Sequence, residues 1–185
     1  MDKREQIINA AMKLLTEKGV QATPMSAIAK AAGTGMGTIY NYFATKEELI
    51  NAIYLYIKSL EIQFITQRTH DESSLKIKFL EYYKAFVDFN IHYPECFAFM
   101  DQLQNSPIIS ECTKDEGKTE FLPVLELIRK GQEDGIIKKM SMDAILQFLA
   151  GTLTTYVRWM LSIEENDRDQ YLDQQMRMVW DALKE

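Results

Sequence analysis

The sequence predicts an all-α fold, and three observations support that fold class. Apolar residues recur every three or four positions along most of the 185-residue chain, the spacing of one helix face. Glycine and proline, the residues that interrupt helices, number only 8 and 4. No pair of alternating apolar and polar segments around a tight turn, the pattern of a β-hairpin, occurs in the chain. Start and stop signals divide the sequence into about nine helices.

Three helices are expected in the first 43 residues. The first spans residues 3–18, with an apolar stripe made of Ile7, Ile8, Ala11, Leu14 and Leu15. Thr23 and Pro24 predict the start of the second helix, because threonine caps helices and proline fits their first position. The third helix, over residues 37–43, has Ile39 and Phe43 on its inward face.

A capping box opens the fourth helix, with Thr45 as N-cap and Glu48 three residues later. The apolar stripe that follows continues to about residue 68. Ser106 and Pro107 repeat the threonine–proline type of start signal, and Asn166 or Asp167 caps the last helix. The other predicted helices span residues 73–92, 94–103, 114–134 and 141–163.

Charge is distributed unevenly along the chain. The whole protein has a net charge of −6. Residues 1–46 carry six Lys and Arg against three Asp and Glu, and residues 47–185 carry 15 against 24. A positive amino-terminal segment on a negative body predicts that the amino-terminal end meets the phosphates of a nucleic acid.

Several protein classes are disfavoured by what the sequence lacks. It has no apolar run long enough to span a membrane and no signal-peptide pattern at its start, so we expect a cytoplasmic protein. Among its two cysteines and two histidines, His92 and Cys96 have the spacing of two metal ligands on a helix, but Pro94 between them disfavours a continuous helix. No phosphate-binding or catalytic motif is present. We therefore expect no catalytic residue, no metal and no cofactor, and hence no enzyme.

Two short helices joined by an Ala-Gly turn form the pattern of a helix-turn-helix unit. Residues 28–49 read IAKAAGTGMGTIYNYFATKEEL. This stretch closely resembles the TetR family of transcriptional repressors, which share I-A, A-G, G-T-[LI]-Y, Y-F and S/T/N-K-E-x-L at the same spacing. The resemblance covers residues 5–50, with a weaker echo in GQEDGIIKKMSMD at residues 131–143. It implies a DNA-binding domain over residues 1–46 and a ligand-binding and dimerisation domain over residues 47–185.

The candidate DNA contacts lie in and around the third helix. Asn41 can pair with adenine, and Met36 or Thr38 can touch a thymine methyl group. The full set is Thr23, Thr34, Gly35, Met36, Gly37, Thr38, Tyr40, Asn41, Tyr42 and Lys46. Gly35 departs from the family, which commonly has serine there. Gly33, Gly35 and Gly37 could also belong to a nucleotide-binding loop. No strand precedes them, however, and their spacing differs from Gly-x-Gly-x-x-Gly.

The alternatives for three of these residues are structural. Tyr40 and Tyr42 are long enough to bind phosphate through their hydroxyl groups. The alternative for each is a half-buried side chain that only packs against its neighbours. Lys46 lies in the first turn of the fourth helix, where free N–H groups and the helix dipole also favour phosphate. A lysine without such surroundings is more often simply exposed to solvent. For Lys46, the adjacent capping box and the position in the family's motif favour the phosphate contact.

Two helices near the carboxyl end are apolar on more than one side, which predicts packing on both sides. A central core helix would explain this for residues 141–163, but less well for the last helix. We therefore expect a two-fold homodimer, as the resemblance also implies. Its candidate interface residues are Leu146, Gly151, Leu153, Thr155, Val157, Tyr171 and Met178.

Aromatic residues and methionine are abundant beyond residue 46, and they can form an ordinary core or line an adaptable pocket. The resemblance implies a small-molecule pocket within the bundle. Its candidate residues are Phe64, Tyr82, Phe86, Phe89, Phe97, Met100, Gln104, Phe121, Leu125, Tyr156 and Trp159. The acidic balance of this part favours a neutral or cationic hydrophobic effector over a polyanion.

The sequence therefore favours a homodimeric repressor that leaves a palindromic DNA operator when a small hydrophobic effector binds. The alternative is a helix-turn-helix protein without small-molecule control, with an architectural or partner-regulated role. A helical-bundle enzyme is a third possibility, for which the chain offers no catalytic constellation.

Overall fold

The computed structural model describes residues 2–69, 74–119, 121–164 and 168–185, with the side chains of Asp169 and Gln170 left aside. Within these ranges the fold is all-helical, as predicted, and its regular secondary structure consists of ten α-helices. They are α1 (Lys3–Lys18), α2 (Met25–Ala31), α3 (Met36–Tyr42), α4 (Lys46–Thr66), α5 (Leu75–His92), α6 (Pro94–Leu103), α7 (Glu111–Thr119), α8 (Leu122–Glu133), α9 (Met142–Met160) and α10 (Arg168–Leu183). The predicted caps Asn166 and Asp167 lie outside the described residues.

Local signals define the ends of the first and fourth helices. Asp2 caps α1 by accepting a hydrogen bond from the N–H of Glu5, whose side chain accepts one from the N–H of Asp2 in return. Thr45 accepts from the N–H of Glu48 at 3.0 Å. The Glu48 carboxylate accepts from the N–H of Ala44 at 2.8 Å. Both helices therefore begin where short-range side-chain bonds satisfy free N–H groups.

The predicted N-cap of α2, Thr23, is wrong by one residue, although the helix begins at Met25. Pro24, in an extended conformation with ψ of 155°, is the N-cap, and no side chain caps this helix. The Thr23 hydroxyl points instead to the carbonyls of Gly19 at 2.8 Å and Leu14 at 3.2 Å. Thr23 therefore holds the α1–α2 connection together and leaves the first turn of α2 uncapped.

The predicted helix over residues 114–134 is two helices, α7 and α8. Pro123 lies in the first turn of α8, and a proline inside a continuous helix would remove a hydrogen bond and clash with the preceding turn. Pro107 starts no helix. The cap of α7 is Ser110, whose Oγ accepts from the N–H of Thr113 at 3.1 Å.

The chain divides into two compact units. One comprises Met1–Ser59 and Pro94–Lys118, and the other comprises Leu60–Tyr93 and Thr119–Glu185. The first unit thus contains residues 47–59 and 94–118, which the sequence groups with the carboxy-terminal domain.

Each unit has its own apolar core. In the first unit, the side chains with no exposed area include Ile7, Ile8, Ala11, Leu15, Ile28, Ile39, Leu49, Ile50 and Ile53. In the second unit, they include Val87, Phe89, Ile128, Ile137, Val157 and Met160. Among the described residues, no helix has the length and apolar character needed to cross a membrane.

Candidate nucleic-acid interface

The helix-turn-helix unit consists of α2, α3 and the turn between them. Gly33 has a φ of +59°, a left-handed conformation that glycine adopts without the Cβ penalty of other residues. The N–H of Thr34 donates to the carbonyl of Ala29 at 3.0 Å and closes this turn. Ile28 and Ile39, one from each helix, are fully buried. The apolar faces of the two helices are thus fixed, and α3 can present its other face to a ligand.

The outward face of α3 carries most of the predicted DNA contacts. Tyr40 is 50% exposed, and Met36, Asn41 and Tyr42 are exposed as well. Gly35 and Gly37 are exposed, while Thr34 and Thr38 are half-buried. An amide, a thioether and two phenol groups therefore share one accessible helix, the set of side chains needed for base edges and phosphates.

Gly35 is the N-cap of α3 and has an ordinary extended conformation, with φ of −83°. It provides no side-chain hydrogen bond to the first turn. Glycine is only slightly worse than serine as a helix cap, so its presence at this position is compatible with the observed helix.

Lys46 lies at the start of α4, and its ammonium group donates hydrogen bonds to backbone carbonyls of the same chain. Its Nζ donates to the carbonyl of Val20 at 2.9 Å and to the carbonyl of Thr23 at 3.3 Å. The side chain is half-buried. Two of the three ammonium hydrogens thus fasten α4 to the α1–α2 connection, a role that sequence spacing did not indicate.

Thr23 needs correction as a predicted DNA contact. Its side chain is 0% exposed, and its hydroxyl hydrogen is directed to the carbonyls of Leu14 in α1 and Gly19 in the α1–α2 connection. This arrangement leaves no Thr23 side-chain atom at the surface for a phosphate to reach.

Arg4 is an exposed cation beside the end of α3, and it is not among the predicted DNA contacts. Its guanidinium carbon lies 5.5 Å from the centre of the Phe43 ring, next to the last residue of α3. Phe43 is almost completely buried. The positive charge excess of residues 1–46 is consistent with a cation at this surface. The contact between Arg4 and Phe43 spans 39 positions, so local spacing does not predict it.

The predicted pocket residues are divided between the two units. Phe97, Met100 and Gln104 belong to the first unit, and the other eight belong to the second. In the second unit, predicted pocket residues take part in three groups of aromatic contacts. Phe64 packs edge-on against Phe89 with ring centres 5.6 Å apart, and Phe86 stacks on Phe121 at 5.3 Å. The third group joins Tyr156, Trp159 and Tyr171.

An open groove of about 470 Å³ lies along α9 and α10 in the second unit. It contains two predicted pocket residues, Tyr156 and Trp159, and two predicted interface residues, Gly151 and Thr155. Thr152 and Gln175 complete its lining. Residues predicted for two different purposes therefore share one surface.

A buried tyrosine connects the helices around this groove. Gln175 donates to the Tyr83 hydroxyl at 3.0 Å, and that hydroxyl donates to Oγ1 of Thr152 at 3.4 Å. Burial raises the pKa of Tyr83 above its ordinary value, although the bonds to Thr152 and Gln175 oppose the shift. The neutral phenol thus links α5, α9 and α10.

The predicted interface residues differ in accessibility. Met178 is 62% exposed, Gly151 and Thr155 are exposed, and Leu146, Leu153 and Tyr171 are half-buried. Val157 is 0% exposed. Its prediction as an interface residue is therefore wrong, because it belongs to the core of its own unit. Periodicity could not separate the two sides of a helix that is apolar on both.

Two large apolar side chains on α9 were missing from the predicted interface. Phe148 and Trp159 are 39% and 45% exposed. They share one face of α9 with Gly151 and Thr155, at spacings of three and four residues. We call this set, together with Met178 of α10, the α9–α10 face.

Comparison with known proteins gives a family match in the amino-terminal segment. Residues 7–53 match the family model described as bacterial regulatory proteins, tetR family. The uncharacterized HTH-type transcriptional regulator YhgD of Bacillus subtilis is 44% identical over 54 residues, which are 29% of this chain and 28% of that protein.

Longer matches extend over most of the chain. The HTH-type transcriptional repressor KstR2 of Mycobacterium tuberculosis is 23% identical over 167 residues, 85% of this chain and 80% of that protein. The fatty acid metabolism regulator protein of Bacillus subtilis is 26% identical over 176 residues, with 88% and 86% covered. The fold also matches a crystal structure of a tetR family transcription regulator from Shewanella sp. PV-4, with a TM-score of 0.93, 21% identity and both chains fully covered.

Proposed function

Because the chain belongs to the TetR family of bacterial regulatory proteins, we propose that it is a homodimeric repressor released from its operator by a small hydrophobic effector. A protein of this family is a DNA-binding transcription regulator, and the family is not one of enzymes. In this proposal residues 1–46 bind DNA, and residues 47–185 bind the effector and form the dimer.

The exposed face of α3 is the observation that carries the proposal. Ile39 is buried on the inward side of this helix, while Tyr40, Asn41 and Tyr42 are exposed. Inserted into the major groove, Asn41 pairs with the N6 and N7 atoms of adenine. Hydroxyl groups of Tyr40 and Tyr42 bind phosphates and fix the register of the helix on the duplex.

The α9–α10 face supports a dimer. Phe148, Trp159 and Met178 are large apolar side chains with about two-fifths or more of their area exposed. Gly151 and Thr155 are small enough for a second backbone to approach closely. Two chains joined there by a two-fold axis would present two α3 helices to successive major grooves, which requires a palindromic operator.

Effector control is supported by the aromatic content of the second unit and by two relatives. One relative is named a fatty acid metabolism regulator, and the solved KstR2 is titled a ketosteroid transcriptional regulator. Both names point to hydrophobic chemistry. An effector of this class, neutral or cationic, would release DNA by binding more tightly to a dimer whose α3 helices are wrongly spaced.

A second candidate is a DNA-binding regulator without a small-molecule effector. The open form of the groove along α9 and α10 favours it, because Gly151 and Thr155 of that groove also belong to the α9–α10 face. A second copy of the chain would then fill the groove, and control would come from a protein partner or from concentration.

Selection of bound duplexes from a random DNA pool by the full chain tests the proposal. We expect enrichment of a palindrome whose half-sites are about one helical turn apart. A matched selection with the Asn41→Ala variant should relax the preference at one position in each half-site. Recovery of random sequences by the wild-type protein would contradict sequence-specific regulation.

A further inference from the structure

The side chain of Asn51 in α4 binds the backbone of the segment that leads into α7. Its Oδ1 accepts a hydrogen bond from the N–H of Ser110 at 2.9 Å. Its Nδ2 donates to the carbonyl of Ile108 at 2.8 Å and to the carbonyl of Glu47 at 2.7 Å. Both polar atoms of this half-buried amide are used, and two of its bonds reach across more than fifty positions of sequence.

The carboxamide of Asn51 is suited to this pair of long-range bonds. It offers one acceptor and one donor in the same plane, matching the N–H of Ser110 and the carbonyl of Ile108. An aspartate would keep the acceptor, lose the donor and place a negative charge against the Ile108 oxygen. Because Ser110 is also the cap of α7, Asn51 fixes the point at which α7 begins.

A second contact holds α7 against the same side of α4. Gly117 is buried, and a Cβ at this position would lie 2.7 Å from Cε1 of Tyr54 and 3.4 Å from Cγ of Lys58. Asn51, Tyr54 and Lys58 are three and four residues apart, so they form one stripe along α4. Hydrogen bonds at one end and close packing at the other thus fasten α7 along this stripe.

These contacts explain why residues 94–118 belong to the same compact unit as residues 1–59. The preceding helix, α6, packs on α1, where Gln102 donates to the carbonyl of Thr16 at 3.4 Å. The segment is therefore attached to two of the helices that support α2 and α3. Of these, α4 begins only four residues after the end of α3.

We infer that Asn51 is a positioning residue for DNA binding, which fixes the α6–α7 segment to the first two turns of α4 and so sets the orientation of α3. This inference rests on the proposed function and adds a residue outside the DNA-contacting surface. Displacement of residues 94–118 reaches the DNA-binding helices through the Asn51 amide, because its bonds cannot stretch far without breaking.

The test compares Asn51→Ala and Asn51→Asp with the wild-type chain on the duplex that the wild-type chain selects. We expect a roughly tenfold loss of affinity, the scale of one lost hydrogen-bond pair, with an unchanged salt slope because no phosphate contact is removed. Asn105→Asp, at an exposed asparagine between α6 and α7, adds the same charge and should stay within about twofold of wild type. Hydrogen exchange at the Ser110 amide reports whether the bond is lost.

A positioning role and a purely structural role give different results. Faster exchange at Ser110 with affinity unchanged within about twofold would overturn the inference, because the amide would then only stabilise the fold. If the Asn51 variants do not fold, Gly117→Ala provides the second test, since its added methyl would lie 2.7 Å from the Tyr54 ring and disturb the packing of α7 on α4. It should lower affinity in the same way, and unchanged affinity would again contradict positioning. Failure of the wild-type chain to select any duplex would instead contradict the proposed function.

Discussion

The ammonium nitrogen of Lys46 lies 2.9 Å from the carbonyl oxygen of Val20, and this bond joins the start of α4 to the connection between α1 and α2. A second bond reaches the Thr23 carbonyl at 3.3 Å. In the same connection, the Gly19 carbonyl receives a hydrogen bond from the Thr23 hydroxyl. The arrangement fixes the framework on which the helix-turn-helix unit rests before any DNA is bound.

Replacement of Lys46 by alanine should affect both stability and DNA binding. We expect the free energy of unfolding to fall by about 1 kcal/mol, because two charge-assisted bonds at a half-exposed site are lost. In the proposal, the third ammonium hydrogen, which these two bonds do not use, binds a phosphate, so affinity for all duplexes should fall similarly and the salt slope should decrease by about one per subunit. Denaturant titration and fluorescence anisotropy at several salt concentrations measure the two effects. A loss confined to one base position, with an unchanged slope, would show that Lys46 does not contact phosphate.

Replacement of Asn41 by alanine should reduce specific binding alone. The affinity for the selected palindrome should fall by roughly 1–3 kcal/mol, the value of one bidentate base contact, while binding to random DNA stays nearly the same. Tyr40→Phe is the matched comparison, since loss of a phosphate-binding hydroxyl should weaken both kinds of binding. Equal losses on specific and random duplexes for Asn41→Ala would contradict base recognition by this residue.

Charges placed on the α9–α10 face should separate the proposed dimer. Phe148→Glu combined with Met178→Glu should give a folded monomer, because both side chains are exposed in the single chain but would be buried without a partner charge in the dimer. Ile77→Glu with Leu122→Glu changes two other exposed apolar residues of the second unit and should leave the dimer intact. Sedimentation equilibrium measures both. An unchanged dimer in the first variant would place the interface elsewhere.

Tyr83 should contribute a pH dependence at alkaline pH. Its pKa is raised above 10.0, with burial as the main cause. Well below pH 10 the phenol is protonated in the folded and unfolded chains alike, so it contributes no slope there. As the pH rises further, the unfolded chain ionises first and the free energy of unfolding falls. Urea titrations at about pH 8 and about pH 11 should show this fall in the wild-type chain.

Tyr83→Phe removes that contribution and supplies the control. The variant should be less stable at neutral pH by about 1–2 kcal/mol, since Gln175 and Thr152 lose a buried partner. Its stability should then fall less steeply than that of the wild-type chain above pH 10. Parallel curves for the two proteins would contradict the raised pKa of Tyr83.

A hydrophobic effector should raise the melting temperature and release operator DNA together. A steroid and a quaternary ammonium compound represent the neutral and cationic effectors of the proposal, and a long-chain fatty acid adds an anionic hydrophobic compound for comparison. An effector that binds only the folded state, at a free concentration about one hundred times its dissociation constant, stabilises that state by about 2.7 kcal/mol. Anisotropy of the labelled palindrome follows DNA release in the same samples. Absence of both effects with all three compounds would favour the regulator without small-molecule control.

Local chemistry allowed much of the fold to be predicted from the sequence. The stripe of α1, the capping box at Thr45 and Glu48, and the inward face of α3 depend on residues only a few positions apart. The break between α7 and α8 was missed because apolar periodicity continues across it, although Pro123 was a visible signal against one long helix.

The site was less predictable where contacts join distant residues. The local Thr-Pro signal predicts Thr23 as a helix cap, whereas its hydroxyl binds the carbonyl of Leu14, nine positions earlier. The bond from Lys46 to Val20 spans 26 positions, and that from Asn51 to Ile108 spans 57. No spacing rule indicates such pairs, because packing of helices brings them together. Burial of Val157 likewise depends on which side of α9 faces its own core.

Stoichiometric titration of the selected palindrome with the wild-type chain is the most direct test of recognition by paired α3 helices. The measurement compares that duplex with one in which a single half-site is scrambled, at one fixed salt concentration. We expect two chains to bind each palindrome, with an affinity at least about tenfold higher than for the scrambled duplex. Binding of a single chain, or equal affinity for the two duplexes, would contradict operator recognition by a two-fold dimer.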